Sequence, residues 1–146
     1  MPAPARFAAL LTVLLLLMPG AARAGGALSD ADRAAIRQVI ESQLAAFQHD
    51  DEATAFSFAS PFIQEKFGTP QVFMGMVKSG YPAVYRPKSV QFQDLDEASP
   101  LGIVQKVFLV GPDGQPVLAL YEMQRQPDGS WKINGCILTH SPETSV

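Results

Sequence analysis

The 146-residue sequence holds a single cysteine, Cys136, so neither an intramolecular disulfide nor a cysteine-rich zinc site can form. Histidine is scarce too. His49 and His140 are the only two, and no HExxH spacing occurs, so no metal is expected. No cofactor is expected either. Positive charge is in deficit, 11 Lys+Arg against 14 Asp+Glu for a net of −3, which excludes a general nucleic-acid-binding surface. No nucleophile elbow and no Ser-His-Asp set are readable. Gly111 and Gly114 belong to a hairpin loop and not to a phosphate-binding loop, because no helix follows them. Only one long hydrophobic run exists, and it lies at the start.

That run, Phe7 to Met18, follows Arg6 and is closed by Pro19-Gly20 and the small-x-small triplet Ala22-Arg23-Ala24. The pattern is that of a secretory signal peptide over residues 1–24. A transmembrane anchor fits less well: twelve residues make about 18 Å of helix, against a hydrocarbon core of about 30 Å. Cleavage after Ala24 leaves residues 25–146 as one domain, with no stable membrane anchor. It also removes Arg6 and Arg23 and takes the net charge from −3 to −5. The expectation is an exported protein, periplasmic in a Gram-negative host and otherwise secreted.

The remaining 47% hydrophobic, 17% charged chain reads as helices first and strands second. Ser29-Asp30-Ala31-Asp32 forms a capping-box start. Ile36, Val39, Ile40, Leu44 and Phe47 then share one face of a helix from Asp30 to Gln48. Asp50 or Asp51 opens a short helix from Glu52 to Ala59. Ser60-Pro61 and Thr69-Pro70 each place a capping hydroxyl before a proline at the first helical position. The first opens a helix that Gly68 ends; the second opens one through Lys78 that Gly80 ends.

Beyond Gly80 the period becomes two, predicting strands at Lys88–Leu95, Ile103–Val110, Val117–Arg125 and Trp131–Leu138. Gly111-Pro112-Asp113-Gly114 and Gln126-Pro127-Asp128-Gly129 share one turn chemistry and predict two successive hairpins. In the last strand Trp131, Ile133, Gly135 and Ile137 alternate with Lys132, Asn134, Cys136 and Leu138. The middle strands are apolar on both sides, so the sheet needs two covers: the helices on one face, and on the other a second copy of the chain or the curl of the sheet itself. A homodimer through the outer sheet face is the partner this suggests.

The order resembles the nuclear-transport-factor-two-like fold, also called cystatin-like or ketosteroid-isomerase-like. That implies an α+β architecture, with N-terminal helices packed on a curved four-stranded antiparallel sheet. More closely, the chain resembles a bacterial domain-of-unknown-function family of small exported proteins with that fold. The segments that carry this likeness are 35–47, Phe56 to Pro61, Phe67 to Pro70, Gly80 to Pro87 and Pro127 to Cys136. The resemblance implies a fold and an exported location, and brings no reaction with it.

Candidate chemistry is sparse. His49-Asp50-Asp51 reads either as an acid/base cluster at a pocket rim or as charges suited to two helix ends. Tyr81, Tyr85 and Arg86 can bind a polar ligand, Arg86 bidentately, or serve a rigid crossover. Phe73 and Trp131 belong either to an apolar ligand wall or to the core. An isomerase-like mechanism needs a carboxylate base and a hydroxyl donor. Glu122 and Tyr121 point to opposite faces of one strand, which leaves Asp94 with Tyr81 or Tyr85. Cys136 reads as a buried small hydrophobe. The favoured expectation is a non-catalytic domain that binds a small apolar molecule or a protein partner. The alternative is a ketosteroid-isomerase- or polyketide-cyclase-like enzyme.

Overall fold

A computed structural model describes residues 27–140. The segment read as a signal peptide lies outside the described residues. The element order is α1 (Asp30–Gln48), α2 (Glu52–Ser57), α3 (Pro61–Phe67), α4 (Pro70–Gly80), α5 (Pro82–Tyr85), β1 (Ser89–Ser99), β2 (Gly102–Val110), β3 (Pro116–Arg125) and β4 (Trp131–His140). The strands form an antiparallel meander in the order β1-β2-β3-β4, so the architecture is α+β as expected.

The helix starts follow the sequence closely. The Ser29 hydroxyl accepts from the Asp32 amide at 3.0 Å, and the Asp32 carboxylate accepts in return from the Ser29 amide at 3.2 Å. The side chains of Asp51, Ser60 and Thr69 cap α2, α3 and α4 by accepting from the amides of Thr54, Ile63 and Val72, with Pro61 and Pro70 at the first turns of α3 and α4. Gly68 ends α3 at a φ of 77°, a left-handed value that favours glycine.

The stop after α4 differs from the expectation. Gly80 is the last helical residue, and the break falls at Tyr81. Pro82 explains it: it disfavours helical geometry in the residue before it and then opens α5, a single turn not anticipated in the sequence. The α2 helix stops two residues short of its expected end, because the Phe58 carbonyl and the Ser60 amide bond to Ile133 at 2.9 and 2.8 Å. Residues 58–60 thereby cover the free edge of β4.

Both hairpins form, with Gly114 and Gly129 at φ of 78° and 86°. The inner face of the sheet carries Val107 and Leu109 from β2 and Val117, Ala119, Tyr121 and Met123 from β3. These pack on Ile36, Ile40, Leu44 and Phe47 of α1.

The alternation in β4 changes phase. Glu122 pairs with Gly135 but Met123 pairs with Ile133, so Asn134 is an extra residue in a bulge. Past the bulge, Cys136 and Leu138 join Trp131 and Ile133 on the core side, and Ile137 faces outward, 47% exposed. A regular strand would have put Cys136 and Leu138 on the opposite face, which is why a strict period of two misassigned them.

Candidate functional site

A cavity of about 280 Å³ lies between α1, α3, α4 and α5 on one side and β3 and β4 on the other. Its wall is mostly aromatic and aliphatic. Phe73, at the centre of an aromatic cluster, stands 6.1 Å from Phe47, 5.4 Å from Phe56 and 5.8 Å from Phe67, centroid to centroid. Phe47, Phe67, Phe73, Met76, Val77 and Val84 all contribute to the lining. The α3 helix crosses the cavity with Phe62, Ile63, Lys66 and Phe67, yet none of its own residues is fully buried. Phe62 is 61% exposed and Lys66 is also exposed, so this helix borders solvent.

Polar groups in the wall are few and mostly engaged. Gln43, buried on the apolar face of α1, donates from Nε2 to the Ala55 carbonyl at 3.1 Å. The Tyr81 hydroxyl donates to the Cys136 carbonyl at 3.1 Å. Asn134, the bulge residue, accepts from the Ser60 hydroxyl at 2.7 Å and donates to a Glu122 oxygen at 3.0 Å. Gly135 makes room for that carboxylate, since a Cβ there would lie 3.3 Å from Glu122 Oε2.

Tyr121 is the exception. Its side chain is buried, and its hydroxyl finds no hydrogen-bond partner. Burial, then the neighbouring Cys136, holds its pKa well above the usual phenol range. Burial also pushes the Cys136 thiol up to about 12, which makes it a poor nucleophile. The Cys136 residue keeps some accessible surface, but its thiol is packed among protein atoms. An unpaired buried hydroxyl costs about 1–3 kcal/mol.

Of the residues singled out in the sequence, Phe73 and Tyr81 line the cavity. Burial, followed by Cys136, raises the Tyr81 pKa. The others lie elsewhere. Tyr85 donates to Asp50 Oδ1, and Arg86 Nη2 meets Asp50 Oδ2 at 3.0 Å. Arg86 Nη1 also donates to the Phe47 carbonyl, so this arginine caps the C-terminal end of α1 and joins it to α5. The Asp50 carboxyl is held below its ordinary value, first by the Tyr85 hydroxyl and then by the charges of Arg86 and Lys78.

Trp131 packs at the start of α1, with its indole N–H donating to Asp32 at 3.3 Å and Arg125 over its ring at 4.7 Å. Asp94 is exposed in the β1 irregularity between Phe92 and Leu95 and is not part of the cavity wall. His49 is exposed and bonds through Nδ1 to the Ala45 carbonyl at 2.8 Å, as a helix-end residue does. Among the described residues, no group of three or more His, Cys, Asp or Glu is placed to hold a metal ion.

Tyr121 and Gln43 are wall residues that were not picked out as ligand contacts. Gln43 left a trace, a polar residue on the buried stripe between Ile40 and Phe47. Tyr121 left none beyond its inward register with Ala119 and Met123.

Comparisons with curated proteins and with solved structures gave no match. A family model described as Domain of unknown function (DUF4864) matches residues 29–146, and the chain belongs to that family.

Proposed function

We propose that this chain is an exported, non-catalytic domain that binds a small, mostly apolar molecule in the cavity beneath α3. The observation that carries the reading is the open, aromatic-walled space of about 280 Å³ in a chain with enough Phe and Met to fill it. A dry cavity of about 150 Å³ admits benzene, so this one suits a molecule of roughly ten to twelve non-hydrogen atoms. A mostly apolar wall with a few placed polar groups is the usual make-up of a small-molecule site. Export rests on the residue pattern of 1–24.

An isomerase- or cyclase-like reaction is less well supported. Among the described residues, the cavity wall holds no carboxylate and no imidazole to serve as a base.

Native mass spectrometry of the protein purified from its own compartment tests the binding reading. The expected result is a discrete added mass that Met76→Trp, which fills the cavity from α4, removes without loss of helical circular dichroism. An apo spectrum, with no thermal shift from any small apolar probe, would sink the reading.

The outer sheet face is proposed as the contact with a second copy. Its cross-strand pairs Phe108–Leu118 and Leu120–Ile137 form an apolar surface on the side away from the helices.

A further inference from the structure

Among the described residues, one fully buried side-chain polar atom has no hydrogen-bond partner, and it belongs to the cavity wall. Tyr121 is 1% exposed, lines the cavity from the inner face of β3, and leaves its hydroxyl without a partner. Of the nearby polar side chains, Tyr81 is committed to the Cys136 carbonyl, Gln43 Nε2 to Ala55, and Asn134 to Ser60 and Glu122. The Cys136 thiol sits beside the hydroxyl, but sulfur is a weak partner and the pair makes no well-formed hydrogen bond. Phenylalanine would supply the same ring without the unpaired group. With its proton held tightly by burial, the hydroxyl is a donor throughout the physiological range.

Charge narrows the ligand further. Among the described residues, Lys66 is the one charged side chain in the wall, and it is exposed on α3. A carboxylate at the depth of Tyr121 would lose its hydration with no buried cation to replace it. A pure hydrocarbon would leave the hydroxyl unpaired.

We propose that the cavity takes a neutral molecule with one hydrogen-bond-accepting carbonyl oxygen at its inner end, received by the Tyr121 hydroxyl, and an apolar ring skeleton against Phe47, Phe67 and Phe73. This rests on the binding reading above and names the ligand class for that site.

The test uses the full chain and three probes of one bicyclic skeleton: 1-tetralone, tetralin and tetralin-1-carboxylate, each titrated calorimetrically. The tetralone is expected to bind about tenfold tighter than tetralin, as one hydrogen bond provides, and the carboxylate weaker than both. Tyr121→Phe is expected to bring the tetralone-to-tetralin ratio to about one while leaving tetralin unchanged. Tyr81→Phe, whose hydroxyl is already committed, is expected to preserve the ratio.

The carbonyl stretch of bound tetralone supplies a readout that needs no variant. It is expected at lower wavenumber than in hydrocarbon solvent. Equal binding of tetralone and tetralin, a preference that survives Tyr121→Phe, or tightest binding of the carboxylate would overturn the inference while leaving the binding reading intact. Failure of all three probes to bind would bring down the binding reading, and the inference with it.

Discussion

Asp32 performs three tasks at the start of α1. It completes the capping box with Ser29, pairs with Arg125 at 2.8 Å and accepts from the Trp131 indole at 3.3 Å. Its carboxyl is lowered from 3.8 to about 2, chiefly by the Ser29 hydroxyl and then by Arg125. Since the folded value lies below the unfolded one, this stabilisation is complete above the unfolded pKa and is lost as pH falls through the folded value. Asp32→Asn is therefore expected to lower stability at neutral pH, with the gap to the native chain closing between about pH 4 and pH 2. Urea midpoints across that window check it. A gap that does not change with pH would assign the loss to cap geometry alone. The same residue explains the position of Trp131: its indole N–H needs an acceptor when buried, and the helix start supplies one.

At the scale of elements, the β4 bulge organises the cavity. The extra residue brings Cys136 and Leu138 onto the core side and turns Asn134 towards Ser60 and Glu122. Ser60 is fully buried and does double duty, accepting from the Ile63 amide at 3.3 Å to cap α3 and donating to Asn134. Ser60→Ala removes both contacts and is expected to lower stability by about 1–2 kcal/mol, the upper range for a lost cap. Chemical denaturation measures it; a loss within a few tenths of a kcal/mol would show that the clamp contributes little. The α4–α5 break is set by Pro82 and brings Tyr81 into the cavity wall and Arg86 onto the end of α1. One backbone constraint thus separates two neighbouring aromatic residues, Tyr81 and Tyr85, into a cavity role and a bracing role.

At the scale of the whole molecule, the sheet divides two tasks between its faces. The inner face builds the core and the cavity with the helices. The outer face carries Phe108, Leu118 and Leu120, each half-buried, together with exposed Ile137. If a second copy covers this face, sedimentation equilibrium at micromolar concentration is expected to give a dimer. Leu118→Lys, which places a charge at its centre, is expected to give a folded monomer. A native chain that stays monomeric at these concentrations would refute the pairing.

The amino-acid sequence by itself determined the starts of α1 to α4, the two hairpins that join β2, β3 and β4, and the helices-then-strands order behind the α+β class. Those features depend on contacts within a few residues: a hydroxyl before a proline at Ser60 and Thr69, or glycine at the left-handed position of each hairpin. Tertiary structure decided the rest. The bulge at Asn134 depends on pairing with β3, so no local pattern announced the change of phase. Tyr85 and Arg86 were drawn from the cavity to Asp50 and the Phe47 carbonyl because a helix end needed capping. Tyr121 stands out only because, among the described residues, its hydroxyl is the one fully buried side-chain polar atom without a hydrogen-bond partner. An unpaired hydroxyl is a property of its surroundings, and those are assembled from four helices and two strands far apart in sequence.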